Sequence, residues 1–273
     1  MTDALFDPFT LRETTIPNRI ALSPMCQYSA EEGVATDWHR VHLGTRAVGG
    51  AGLVMTEATA VEPRGRITPD CLGIWSDEHA AALEPIVSFV ESQGAVPAIQ
   101  LAHAGRKGSH APPSAGGHAL PADHEDGWVT HSATDEPYPG EETAATSRMD
   151  ADDVETVVEA FVDAAARSLE AGFEVAEVHA AHGYLLHQFL SPVTNDRDDD
   201  YGGSFENRTR LVCAVVEAVR AVWPDDKPVF VRISATDWLP DRESWDVDDA
   251  VRLVPLLADA GADLIDVSGG GIH

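Results

Sequence analysis

Six short apolar runs with helical patterns between them, and polar residues gathered at the ends of those runs, predict an α/β fold. The architecture that fits is a TIM-type (β/α)8 barrel that breaks off after its sixth strand. The runs cover residues 20–23, 52–57, 95–100, 174–179, 229–233 and 264–267. A closed barrel of this kind needs eight strands, about two more than the sequence holds before it ends on SGGGIH. An open doubly wound sheet would accommodate six, but the first run lacks the G-x-G-x-x-G turn of a dinucleotide site.

The helices fall where crossovers need them. Ser76 can cap a helix that ends before Gly94, and Asp150 one that ends near Gly172. In the second, Val154, Val157, Val158, Phe161 and Ala165 share one face, as a helix packed on a sheet requires. Residues 208–222 and 247–260 read the same way, the latter capped by Asp246 and closed by Gly261. The stretch 104–147, rich in Pro, Gly, His and acids, shows neither period and follows the third strand directly. It reads as a long loop on the active-site face, where the loops after barrel strands build the site. An interdomain linker is the alternative, yet the βα rhythm continues on both sides. One domain over residues 1–273 is therefore expected.

Asp and Glu total 46 against 18 Lys and Arg, a formal charge of -28. Such a surface repels nucleic acid and anionic membrane and suits a carboxylate-coated protein of high-salt surroundings, where screening is nearly complete. A local acidic face for a cationic partner is the other reading, but the acids are spread along the chain. The N-terminal stretch has no basic start followed by an apolar run, and no apolar run is long enough to span a membrane, so a cytoplasmic location is expected. Cys26, Cys71 and Cys213 are widely spaced and form no CxxC pair, which argues against a disulfide framework or a metal ribbon.

The strand ends carry Cys26 and Tyr28, Gln100 and His103, His179, His182 and Tyr184, and Arg232. On a barrel these ends meet at one face. In EVHAAHGYLLHQFLSP two imidazoles three residues apart could donate hydrogen bonds to one carbonyl oxygen, while a nearby phenol delivers a proton. Metal ligation is disfavoured, because the spacing is not H-E-x-x-H and no carboxylate cluster completes it. Structural roles for both histidines remain open on these residues alone.

NRIALSPMCQYSA, EATAVEPRGRI with LGIWSDEH, IQLAHAGRK, EVHAAHGYLLHQFLSPVTNDRDDDYGGSFENRTR and VFVRISATDW follow one another between residues 18 and 238. In that order they resemble the Old Yellow Enzyme family. The likeness is strongest to its short bacterial and archaeal branch, in which a cysteine follows SPM and a His/His pair replaces His/Asn. The resemblance implies a flavoprotein that reduces the C=C bond of α,β-unsaturated carbonyl compounds with FMN as cofactor and NADPH or NADH as reductant.

It further implies that Ser23, Pro24, Met25 and Cys26 lie beside the flavin, that the Cys26 thiol tunes its potential, and that Ala58 packs near the ring. Gln100 would bond the pyrimidine side and Arg232 would face N1 and the C2 oxygen, where a fixed positive charge favours the reduced flavin. His179 and His182 would hold the substrate carbonyl oxygen, hydride would add to the β-carbon, and Tyr184 would protonate the α-carbon. Tyr28 is a substrate-pocket residue or a core aromatic. The implied partner is a small enone or enal.

In this family the FMN phosphate is gripped after strands seven and eight, beyond what this sequence shows. The expectation is a homo-oligomer or a complementing chain that supplies the missing strands. A non-catalytic partial barrel that binds flavin weakly or serves as an assembly partner is the alternative. The dienoyl-CoA reductase branch, a nearer rival, carries a cysteine cluster that this sequence lacks.

Overall fold

A computed structural model of the chain describes residues 4–140 and 142–273. Residues 1–3, which begin the N-terminal stretch, and Glu141 in the long loop lie outside the described residues. In chain order the elements are β1 (Phe9–Leu11), β2 (Thr14–Ile16), β3 (Ala21–Leu22), α1 (Asp37–Val48), β4 (Leu53–Ala60), α2 (Asp77–Ser92) and β5 (Val96–Ala102). They continue with β6 (Thr130–Ser132), β7 (Thr146–Arg148), α3 (Ala151–Glu170), β8 (Val175–Ala180), α4 (Leu185–Leu190), α5 (Phe205–Arg208), α6 (Arg210–Val222), β9 (Val229–Ser234), α7 (Val247–Asp259) and β10 (Leu264–Ser268).

All six predicted strands join one parallel sheet, in the order β10-β9-β8-β5-β4-β3. Each strand lies beside the next one of the sheet along the chain. A doubly wound sheet reverses its order at a switch point; this one never does, so successive βα units wind in one sense as in a barrel wall. A 480 Å³ cavity is lined by Leu22 and Ser23 at one edge and by Leu264 and Asp266 at the other, with Met55, Glu177 and Phe230 between. Both edges can face one cavity only if the sheet curls. The β1–β2 hairpin, absent from the sequence reading, packs Ile16 and Phe9 into this interior. Its turn bonds Asp226 and Asp263, just ahead of β9 and β10.

The outer face of the sheet is covered by α1, α2, α3, α6 and α7. The periodicity read for α3 buries Val154, Val157, Phe161 and Ala165, against Val215 and Val219 of α6 and Leu83 and Val87 of α2. Asp150 caps α3 by accepting from the Asp153 amide at 2.9 Å, and Asp246 caps α7 through two amides. Among the described residues no helix is long and apolar enough to cross a membrane.

Three expectations need correction. The long loop 104–147 is not structureless: β6 and β7 pair in parallel, held by Thr130 and Thr146 hydroxyls 2.9 Å apart. Strands of three residues are too short to show a period. The helix read as 208–222 starts two residues later, as α6 at Arg210, with the short α5 ahead of it across Thr209. The first strand, read to Ser23, pairs only over Ala21 and Leu22.

Candidate active site

Parallel register sets the predicted residues Ala58, Gln100, His179 and Arg232 in two rows, with two acids beside them. Ala58, Gln100 and Glu177 stand side by side on β4, β5 and β8, and His179, Arg232 and Asp266 on β8, β9 and β10. Residues two apart on a strand share a face. Glu177 lines the interior cavity, so His179 stands one pleat nearer the C-terminal mouth; Phe230 and Arg232, and Asp266 and Ser268, repeat that step. Chemistry in such a fold sits at that mouth. Ser23 and Pro24 line the cavity, and Met25 beside them is 46% exposed.

The floor holds buried polar atoms. Gln100 donates to Glu177 Oε1 at 2.8 Å, while Glu177 Oε2 has no hydrogen-bond partner. Burial and the nearby Asp266 carboxylate push Glu177 up to about 8, against the opposing pull of Gln100 and Arg232, so at neutral pH it is mostly the acid and offers an O–H. Arg232 lies 3.3 Å from Asp266 Oδ2, but its Nε is not aligned into a hydrogen bond. Leaving such groups unpaired costs about 1–3 kcal/mol each. A flat ligand with donors and acceptors along one edge, as a flavin pyrimidine has, fits this row.

Above it stands the His/His/Tyr group. The His179 and His182 rings are 5.2 Å apart and nearly perpendicular, and Tyr184 lies 5.1 Å from His179. Burial, then the charges of His182, Arg232 and Lys107, hold His179 well below the usual imidazole range. Burial with Arg232 and Lys107 brings His182 to about 4. Both rings are thus neutral at pH 7. The Ala181 amide donates to His179 Nδ1 at 3.3 Å, which leaves the ring proton on Nε2. His182 Nε2 lies 2.6 Å from Ser268 Oγ; with the hydroxyl as donor, its ring proton sits on Nδ1. Burial pushes the Tyr184 phenol above its ordinary value, so it stays protonated.

Ala58 and Tyr184 line one small cavity together with Gly65 and Ala104. Cys26 and Tyr28 lie close to Tyr184 and to each other. Burial raises the Cys26 thiol, which is therefore a neutral S–H near the Ala58 amide. The strand-end His103 and the later His187 of the same histidine-rich segment stand apart from this group. His103 bonds Glu62 at 2.8 Å, and His187 accepts from the Gly183 amide and faces Asp237 at 3.0 Å, entirely buried. Both brace loops.

The sequence reading passed over Glu177, Asp266, Ser268 and Lys107. Glu177 and Asp266 had a signal, since an acid inside VAEVHA or LIDVS has no reason to be there unless it faces a polar interior. Lys107 had one as well, being with Lys227 one of only two lysines.

The turn that presents these groups is tight. His182 has φ +58° and Gly183 φ +72°. A Cβ on Gly183 would lie 2.1 Å from the Gly271 carbonyl oxygen, itself in a left-handed residue. Gly183→Ala is expected to lower unfolding free energy by about 1–3 kcal/mol through backbone strain and contact, measured by urea denaturation in molar salt. An unchanged midpoint would show that the two loops separate freely.

The NADH:flavin oxidoreductase / NADH oxidase family matches residues 4–272. An NADH:flavin oxidoreductase of Gibberella zeae is 46% identical over 286 residues, 98% of this chain and 68% of that one. An NADPH dehydrogenase of Geobacillus sp. (strain WCH70) is 46% identical over 274 residues, 100% of this chain and 74% of that one. Among solved structures, an old yellow enzyme homologue from Zymomonas mobilis superposes with a TM-score of 0.84 at 28% identity, covering 99% of this chain and 75% of that one. A 2-naphthoyl-CoA reductase complex superposes with a TM-score of 0.87 at 25% identity, over 97% of this chain but 40% of the larger one.

Proposed function

The chain belongs to the NADH:flavin oxidoreductase / NADH oxidase family, the Old Yellow Enzyme family of NAD(P)H-dependent FMN oxidoreductases, and from that premise we propose that it reduces the C=C bond of small α,β-unsaturated carbonyl compounds. The observation that carries this reading is the pair of neutral imidazoles with a protonated phenol beside them, at the mouth above a polar floor.

Bound FMN would supply the hydride, taken from NAD(P)H. Ser23, Pro24, Met25, Cys26, Ala58, Gln100 and Arg232 are the residues proposed to hold it, with Glu177 joining Gln100. Arg232 contributes fixed positive charge and the unaligned Nε; Gln100 and Glu177 contribute a buried amide and carboxyl. The Cys26 S–H, held neutral by burial, acts as a weak donor rather than as a thiolate nucleophile.

His179 and His182 bind the substrate carbonyl oxygen through one ring N–H each. Because neither ring is charged, they stabilise negative charge as it grows on that oxygen without giving up a proton. Tyr184 then delivers a proton to the α-carbon. Tyr28, close to Cys26 and to Tyr184, walls the substrate side.

The test is the visible spectrum of the protein in molar salt with FMN added. Flavin absorbance (about 450 nm) that bleaches with anaerobic NADPH and returns with cyclohexenone supports the activity. A protein that takes up FMN and is reduced, yet is not reoxidised by the enone, overturns the substrate class. One that never takes up FMN overturns the activity for this chain and leaves its family standing.

A further inference from the structure

Lys107 is placed where a surface lysine would not be. Its Nζ donates to the carbonyl oxygens of His182 and Gly271, each at 2.9 Å. The same ammonium lies 4.9 Å from the ring centre of Tyr184 and 5.0 Å from that of Tyr138. It thus ties the turn after β8 to the loop after β10, and both carbonyls belong to residues in the left-handed region. In a chain with a formal charge of -28 the other lysine, Lys227, pairs with an acid, Glu174, at 2.8 Å. Lys107 has been drawn inside, onto two carbonyls and two aromatic faces.

We propose that Lys107 is a positioning residue for proton delivery: its ammonium fixes His182 and Tyr184 relative to each other and stabilises the negative charge left on the phenol when its proton departs. The inference rests on the reading of Tyr184 as the proton donor. In that step the O–H bond of Tyr184 breaks as the C–H bond at the α-carbon forms. The electron pair stays on the phenol oxygen, which water reprotonates afterwards. A cation near an aromatic ring attracts a phenolate more strongly than a phenol, so the help grows as the proton leaves.

Burial, and next to it the Arg106 charge, bring Lys107 down to about 8, so it loses its charge as the pH rises through that value. The groups facing it are Arg106 on its own turn, Tyr138 of the long loop, His179, His182 and Tyr184 around the turn after β8, His110 further along the long loop, and the Gly271 carbonyl beyond β10. Of these, the histidines are pushed to lower pH and the Tyr184 phenol to higher pH. Glu177 titrates near the same value as Lys107. A fall in rate above that pH therefore does not by itself identify the lysine, but the movement of that fall on substitution does.

The experiment compares FMN-loaded wild type, Lys107→Met, Lys107→Arg and Tyr184→Phe. Reduction by NADPH and reoxidation by cyclohexenone are followed separately by stopped flow across pH. Lys107→Met is expected to slow reoxidation about tenfold, the size of a partly desolvated cation–ring contact, while the rate of reduction by NADPH holds. Lys107→Arg is expected to restore most of the rate and to carry the alkaline fall to higher pH, because a guanidinium stays charged. Equal reoxidation rates in wild type and Lys107→Met overturn the proposal. If Lys107→Met does not fold, wild type and Lys107→Arg decide it, and a fall at the same pH in both overturns it. Tyr184→Phe separates the two layers. Slow reoxidation there with normal rates in the lysine variants removes Lys107 alone; normal reoxidation in Tyr184→Phe removes the proton-donor reading and this inference with it.

Discussion

His179→Ala is expected to lower kcat/KM for enone reduction by about 10²–10³, the usual consequence of removing one hydrogen-bond donor from a site where negative charge develops. The size follows from the ring's surroundings. His179 is 3% exposed, its Nδ1 is already used by the Ala181 amide, and its Nε2–H is the donor left for the substrate. Alanine there removes the donor and leaves no flexible neighbour to replace it, since His182 is tied to Ser268 and to the Ser234 hydroxyl through its amide. The floor that would hold FMN, Gln100, Glu177 and Arg232, lies a pleat below or a strand away, so flavin should stay bound. The cleanest check is therefore spectroscopic. Phenols that stack on an oxidised flavin with their oxygen on the imidazoles give a long-wavelength charge-transfer band, and His179→Ala should abolish it while the flavin bands persist. An unchanged band would remove the carbonyl-binding role. Because both imidazoles are neutral well below pH 6.5, the wild-type rate should also show no inflection at ordinary histidine values.

How far the sequence disclosed this site depends on the kind of signal each residue left. The four inner sheet strands were legible because buried parallel strands read as continuous apolar runs bounded by turn residues, the less buried edge strands β3 and β10 as shorter runs, and α3 because its apolar face repeats. Helix α1 was not. It exposes Trp38, Val41 and Val48 while burying His39, His42 and Leu43, so apolar and polar residues lie on both faces. Its capping box uses His39 in place of Glu or Gln, which hides the usual start signal. The β1–β2 hairpin was missed for shortness, three residues a strand. At the site, His179, His182, Tyr184 and Arg232 stood out as polar residues at strand ends. Their mutual placement was beyond the residues alone, because it is set by β8–β9 register and by a left-handed turn at His182. Lys107 and Ser268 escaped for the same reason, since their partners are 75 and 86 positions away in the chain.

The melting temperature is expected to rise by on the order of ten to twenty degrees between dilute buffer and molar KCl, at roughly 2–4 °C per kcal/mol for a domain of this size. The 18 basic residues are too few to pair more than a minority of the 46 acids. Along the outer face of α3, Glu155, Glu159 and Asp163 are all exposed and four residues apart. Adjacent like charges at that spacing oppose the helix by about 0.2–0.5 kcal/mol each. Arg167 offsets only part of this, because its partners Asp77 and Asp163 are 93% and 68% exposed and such pairs contribute little. The excess of 46 acids over 18 basic residues extends the same repulsion over the whole surface. Salt shortens the Debye length from about 30 Å at 0.01 M to about 3 Å at 1 M, less than the distance between neighbouring carboxylates on a helix face. The unfolded chain holds its charges further apart and so gains less from screening. The difference appears as stability that grows with KCl and approaches a plateau once that spacing is screened. Sodium sulfate would confuse the result by strengthening apolar burial, so the comparison belongs in KCl. A curve flat from dilute buffer upward would mean that the folded surface carries its charge without strain, and the reading of a protein suited to high salt would fall.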